Sequence, residues 1–175
     1  DPHLLALHLR HAVVAIWDDH DVADNAFDTG AKAHDPEEHG PWEDRLAAAT
    51  RVRQEWVPAR LPDQEDAGRL WRSVPLGDLA EVVLLDTRLG GRDEQPDSDD
   101  GDLDSPDRSL LSDEQWAWAE ERITDRSRPW VVVASQVPVS EMEIPVPEGL
   151  DLDGLLPDGY TLQQGKAICT DQWDG

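Results

Sequence analysis

Three short apolar runs, each halted by polar residues, constrain this chain more than any other feature. Residues 12–17 stop at Asp18-Asp19-His20-Asp21, residues 81–85 at Asp86-Thr87-Arg88, and residues 130–135 at Gln136. Runs of this length, rich in β-branched residues, are the pattern of buried strands. Residues 69–76 alternate and predict a half-exposed strand, with Gly77-Asp78 as the turn into the 81–85 run. Helical spacing lies around these runs. Residues 3–10 carry a dense stripe of Leu4, Leu5, Leu7 and Leu9. A second helix is expected from about Trp42 to Val57, with Leu46, Ala49, Val52 and Trp56 on one face and Pro58 closing it. A third starts at Ser112, with Gln115 three residues on as a capping box requires, and places Trp116, Ala119 and Ile123 on one side. Strands alternating with helices predict an α/β layer structure, which holds its ligands at the carboxyl ends of its strands.

Between these elements the chain reads as loop. Residues 22–41 carry Asn25, Gly30, Pro36, Gly40 and Pro41, residues 90–109 are long and acidic, and from Ser140 onward Pro and Gly recur. No period of about 20–50 residues repeats, which sets aside solenoids and propellers. The 175 residues allow one domain of ordinary size, burying roughly 68–70% of its unfolded surface. Eight Trp and 38% hydrophobic residues argue against full disorder.

Charge narrows the partners. The chain has 39 acidic and 15 basic residues and a net charge of −24, which argues against a nucleic-acid scaffold or an anionic membrane surface. No apolar run approaches the roughly 18 residues of a membrane span. The one cysteine, Cys169, leaves no internal disulfide to form. Lysine is limited to Lys32 and Lys166, a bias that suits either high salt or a genome rich in Arg codons.

The candidate chemistry sits at the strand ends. Carboxylates and imidazole in Asp18-Asp19-His20-Asp21 are ligands for Mg, Ca, Mn, Zn or Fe. Neighbouring Asp residues point in different directions, so one ligand with one orienting partner is the expected arrangement. His20 is the single one of six histidines at a strand end, and it could contact a substrate oxygen instead. The same residues would also serve as a solvated, capping acidic turn. Arg88, and Arg92 beyond it, could grip a phosphate by the planar guanidinium fork, or simply pair locally with Asp86. Gln136 is a third polar group at this edge, and Asp171, Trp173 and Asp174 are candidates for a rim.

Other templates fail. An EF-hand loop needs acidic groups at the first, third and fifth positions, Gly at the sixth and Glu at the twelfth. In residues 97–107 a start at Asp97 puts Gly101 fifth and Arg108 twelfth, and a start at Pro96 loses the first ligand. No Gly-x-Ser-x-Gly, Walker, dinucleotide-binding or His-Glu-x-x-His pattern occurs. Cys169 has no histidine near it in sequence, which favours a structural or incidental thiol over a nucleophile.

Taken in order, the motifs resemble the alkaline phosphatase D (PhoD-like) metallophosphatases. They run from Ile16-Trp17-Asp18-Asp19-His20-Asp21 and Ala23-Asp24-Asn25, through Arg53-Gln54-Glu55-Trp56-Val57-Pro58, to Arg72-Ser73 and Gly77-Asp78-Leu79. Leu85-Asp86-Thr87-Arg88, Arg92-Asp93, Ser109-Leu110-Leu111, Glu114-Gln115, Gln136-Val137 and Asp171-Gln172-Trp173-Asp174-Gly175 continue the match. The resemblance implies an internal portion of a calcineurin-like metallophosphoesterase α/β/β/α sandwich. Residues 1–175 would then form a partial catalytic domain, with further metal ligands upstream and downstream. It implies metal-dependent hydrolysis of phosphate monoesters or diesters, with divalent or trivalent metal ions as cofactors and an exported location. By resemblance Asp19 is a metal ligand, Asp18 its supporting neighbour, His20 a contact for the phosphate or leaving group, and Arg88 a substrate contact. Gln136 stands where the superfamily often has a metal-binding His. The rival function is a non-catalytic acidic module that binds cations or solvates a partner.

Overall fold

The computed structural model describes residues 1–57, 59, 68–96 and 105–139. The expectations for Cys169, for Asp171, Trp173 and Asp174, and for most of the acidic 97–107 stretch lie outside them. Helix α1 (Pro2–Arg10) forms because Asp1 caps the amides of His3 and Leu4 and Pro2 opens the first turn. None of its residues is buried, and its leucines face outward.

Residues 12–17 are the first correction, because they pair with no strand among the described residues. Two of their carbonyls are taken by side chains instead. Arg53 and Arg72 both donate to Ala15 O, at 2.9 and 2.8 Å, and Gln136 Nε2 donates to Trp17 O at 3.0 Å. A 3-10 turn, Asp19–Asp21, follows at once. The expected 22–41 loop contains a two-residue ribbon, β1 (Ala26–Phe27) with β2 (Gly30–Ala31), and a short helix, α2 (Pro36–His39).

Helix α3 (Trp42–Trp56) matches the expected span. Its packed face is narrower than the spacing implied. Trp42, Leu46 and Ala49 join a core with Trp17, Val22, Ala23, Ala26, Ala31 and Leu70, while Val52 and Trp56 are exposed. Strands β3 (Arg72–Leu76) and β4 (Ala80–Leu84) are antiparallel, turned by Gly77 at φ +58°. Strand β5 (Trp130–Ala134) lies parallel to β4 on its other side, with Val82 opposite Val132. The connection between them carries helix α4 (Asp113–Thr124), as parallel neighbours require.

Among the described residues the order β3-β4-β5 makes β4 the central strand and leaves β5 with one neighbour. That overturns the expectation of a buried third strand: Trp130 is 66% exposed and Val132 and Val133 are exposed too, while Val131 packs against the core beneath α4. That core joins Val83, Leu85, Leu111 and Ala119. Helix α4 turns Gln115, Trp118 and Ala119 inward rather than Trp116 and Ile123, and Trp118 packs against Trp71 with ring centres 4.8 Å apart and planes tilted by 53°.

Ser112 caps α4, its hydroxyl accepting from Gln115 N at 3.2 Å. The other half of the expected capping box does not form. The Gln115 side chain, fully buried, turns to the loop after β4. Its Oε1 accepts from Asp86 N at 2.7 Å, and its Nε2 donates to Asp86 O and Gly90 O, each at 3.0 Å. Gly90 is obligatory beneath it, since a Cβ there would collide with Gln115 Nε2 and sit 2.7 Å from Asp86 O. Replacing Gln115 with Ala strands these buried backbone groups and should cost about 3 kcal/mol, whereas exposed Trp116→Ala should cost no more than about 0.5 kcal/mol. Urea denaturation of both variants checks this, and equal midpoints would refute the clamp.

Candidate functional site

The polar ends of the apolar runs do meet. Trp17 is buried, and its indole N–H donates to Asp86 Oδ2 at 2.8 Å, tying the first polar burst to the second. Asp86 Oδ1 accepts from Arg88 N at 3.1 Å and Leu89 N at 2.9 Å, which folds the loop after β4 around the carboxylate. Burial pushes the Asp86 carboxyl above its ordinary value despite these donors. Gln136, at the end of β5, completes the junction. Its Oε1 accepts from Thr87 N and Thr87 Oγ1 while its amide holds Trp17 O. Gln136 thus bridges two chain segments.

From this platform the Asp19–Asp21 turn projects. Asp18 caps it, accepting from Asp19 N at 2.8 Å while its own N–H donates to Asp21 Oδ2 at 2.8 Å. Asp19 is 8% exposed. Its Oδ2 accepts from Asn25 N at 2.9 Å, an amide presented by an Asn at φ +52°, a left-handed conformation Asn tolerates well. Burial pushes the Asp19 carboxyl up, but the Asn25 amide, the Arg88 charge and His20 outweigh it and hold the group below its ordinary value.

Arg88 lies behind the turn with its side chain 4% exposed. Its Nε meets Asp18 Oδ1 at 2.7 Å and its Nη2 lies 3.7 Å from Asp19 Oδ1. Arg88 meets Asp86 through its backbone N–H, not through the ion pair expected, and its guanidinium serves the other burst. Arg92 is buried within the loop and donates to Thr87 O.

On the outer side of the turn His20 Nε2 lies 3.2 Å from Asp24 Oδ1 and 3.9 Å from Asp19 Oδ2. Asp19, His20 and Asp24 each offer a ligand atom, all within 4.8 Å of one another. Of the expected site residues, Asp19 and His20 share this cluster, while Asp18 and Arg88 stand behind it. Sequence reasoning did not single out Asp24 as a ligand. Its i,i+4 spacing from His20 was the available signal, because four residues make about one helical turn.

A family model for PhoD-like phosphatase matches residues 1–175. The chain belongs to the PhoD-like phosphatase family. It is 34% identical to alkaline phosphatase D of Bacillus subtilis (strain 168) over 146 residues, which is 78% of this chain and 24% of that protein. A solved structure of PhoD superposes with a TM-score of 0.65 at 27% identity, covering 91% of this chain and 28% of that one. The chain therefore spans about a quarter of the length of these PhoD relatives. The α/β architecture expected from the apolar runs agrees with that superposition.

The two carboxylates should leave opposite marks on stability. Asp19 has a lowered folded pKa, so its contribution is present above the ordinary value of 3.8 and is lost as pH falls through the folded one. Asp86 has a raised folded pKa, so its contribution is fully present below 3.8 and is lost as pH rises through the folded value. Urea midpoints followed between about pH 3 and pH 6 should lose a rising component in Asp19→Asn and a falling component in Asp86→Asn. Slopes that change in the same direction would contradict the assignment.

Proposed function

We propose that this chain carries a cation-holding, substrate-contacting face of a metal-dependent phosphoester hydrolase. The observation that supports the reading is the convergence of Asp19, His20 and Asp24 in a chain of the PhoD-like family. Two carboxylates and an imidazole form a hard-to-borderline donor set suited to divalent or trivalent ions. Two donors of one such ion lie roughly 3–4 Å apart, and the separations of 3.2 and 3.9 Å around His20 Nε2 fit that span.

In this reading Asp19, Asp24 and His20 Nε2 hold the ion. Asp18 fixes the turn from behind, as a capping carboxylate does. His20, whose side chain is 80% exposed, stands at the mouth of the cluster, where the phosphoryl group approaches the ion. A bound cation lowers the pKa of water at the site and neutralises charge on the phosphoryl oxygens. The chain needs that neutralisation, because a net charge of −24 repels a phosphate ester. Hydrolysis is proposed for the protein at its full length, with export following the family.

The test is turnover of an aryl phosphate and a bis-aryl phosphodiester with and without chelator. Asp19→Ala and His20→Ala should each lower chelator-sensitive turnover by about 10²-fold or more. Unchanged turnover would reject the assignment. Cation binding at the cluster with hydrolysis of neither ester would make the chain an acidic cation-binding module.

A further inference from the structure

We propose that Arg88 is a positioning residue for Asp19, acting through the Asp18-Asp19 pair rather than by touching substrate, an inference that rests on the cation-binding reading above. The Arg88 guanidinium is nearly enclosed, and its two nitrogens address two carboxylates, Nε to Asp18 Oδ1 at 2.7 Å and Nη2 to Asp19 Oδ1 at 3.7 Å. Asp18 Oδ1 also accepts from Asp19 N, so the fork, the cap and the turn share one oxygen. Arg88 is itself anchored, because its backbone N–H donates to Asp86, whose carboxylate holds Trp17 immediately before Asp18. Asp19 is thereby gripped on both sides: Oδ1 faces Arg88, and Oδ2 accepts from Asn25 and faces His20. The free rotation of a carboxylate about its last bond is removed, and one oxygen stays aimed at the exposed cluster. Only a planar, rigid fork serves two carboxylates in this way, and a lysine ammonium does not reproduce it.

A fixed positive charge beside a cation site has two effects of opposite sign. It repels the incoming ion, and it orders the ligand that receives it. If repulsion were its main effect, removing it would tighten cation binding. Positioning predicts the reverse.

The experiment is isothermal titration of Mn²⁺ into wild type, Arg88→Ala, Arg88→Lys and Asp19→Ala, with near-ultraviolet circular dichroism of the tryptophans to confirm folding. Arg88→Ala should weaken Mn²⁺ binding by about 10- to 100-fold, the usual effect of losing a group that orients a ligand. Arg88→Lys keeps the charge and loses the fork, so it should also weaken binding, by several-fold. Should Arg88→Ala not fold, the lysine variant decides between positioning and repulsion. Equal or tighter Mn²⁺ binding in either variant overturns the proposal. Unchanged Mn²⁺ affinity with a raised KM for an aryl phosphate would make Arg88 a substrate contact. If Asp19→Ala leaves the wild-type isotherm unaltered, the cation reading fails first, and the positioning role of Arg88 fails with it.

Discussion

The hydrogen bond from the Trp17 indole to the buried Asp86 carboxylate is the contact on which the rest of the site depends. It joins residues 69 positions apart. It fixes the point at which the first apolar run gives way to Asp18 and Asp19. The same carboxylate gathers the amides of Arg88 and Leu89, and Gln115 of α4 holds the peptide groups on either side of it. A buried carboxylate is expensive unless its oxygens are matched by donors. Here three N–H groups offset part of that cost, and each belongs to a segment that the site needs in place. The constraint therefore runs from helix packing to loop shape, and from loop shape to the aim of Arg88.

Charge explains why so much structure is spent behind a few acidic side chains. The chain has 39 acidic residues, and exposed carboxylates bind cations only loosely. Asp19 differs because it is largely buried and held charged by the Asn25 amide and Arg88. Pre-ordering of this kind removes part of the entropy cost of assembling a ligand set, and it separates a site from a solvated acidic turn. His20 and Asp24 face outward, where a substrate can reach them.

What could be read from the sequence follows the range of the forces concerned. Ser112 was legible as a cap because capping is local, and the β3–β4 hairpin because Gly77 permits a positive φ. Asp19 and His20 were legible because polar residues at the end of an apolar run stand out. Gln115 was misread, since nothing within three residues tells whether its side chain returns to its own helix or crosses to Asp86. The run 12–17 has the composition of a strand, yet two of its carbonyls are met by Arg53, Arg72 and Gln136, partners up to 119 residues away in the chain. Burial of β5 failed for a similar reason, because a strand's place at an edge or a centre depends on pairing and not on its own composition. Trp116 and Trp118 are two residues apart and so lie on nearly opposite sides of α4, and the face that the helix turns to Trp71 decides which one packs.

The central claim is that the platform of Trp17, Asp86, Gln115 and Gln136 presents Asp19, His20 and Asp24 as one cation site. Anomalous diffraction from crystals of the protein soaked in Mn²⁺ tests it most directly. A peak is expected within coordination distance of the Asp19 and Asp24 carboxylates and His20 Nε2, with Arg88 still turned toward Asp18. Manganese found only on exposed acidic residues elsewhere, such as Glu37 and Glu38 or Glu120 and Glu121, would contradict it.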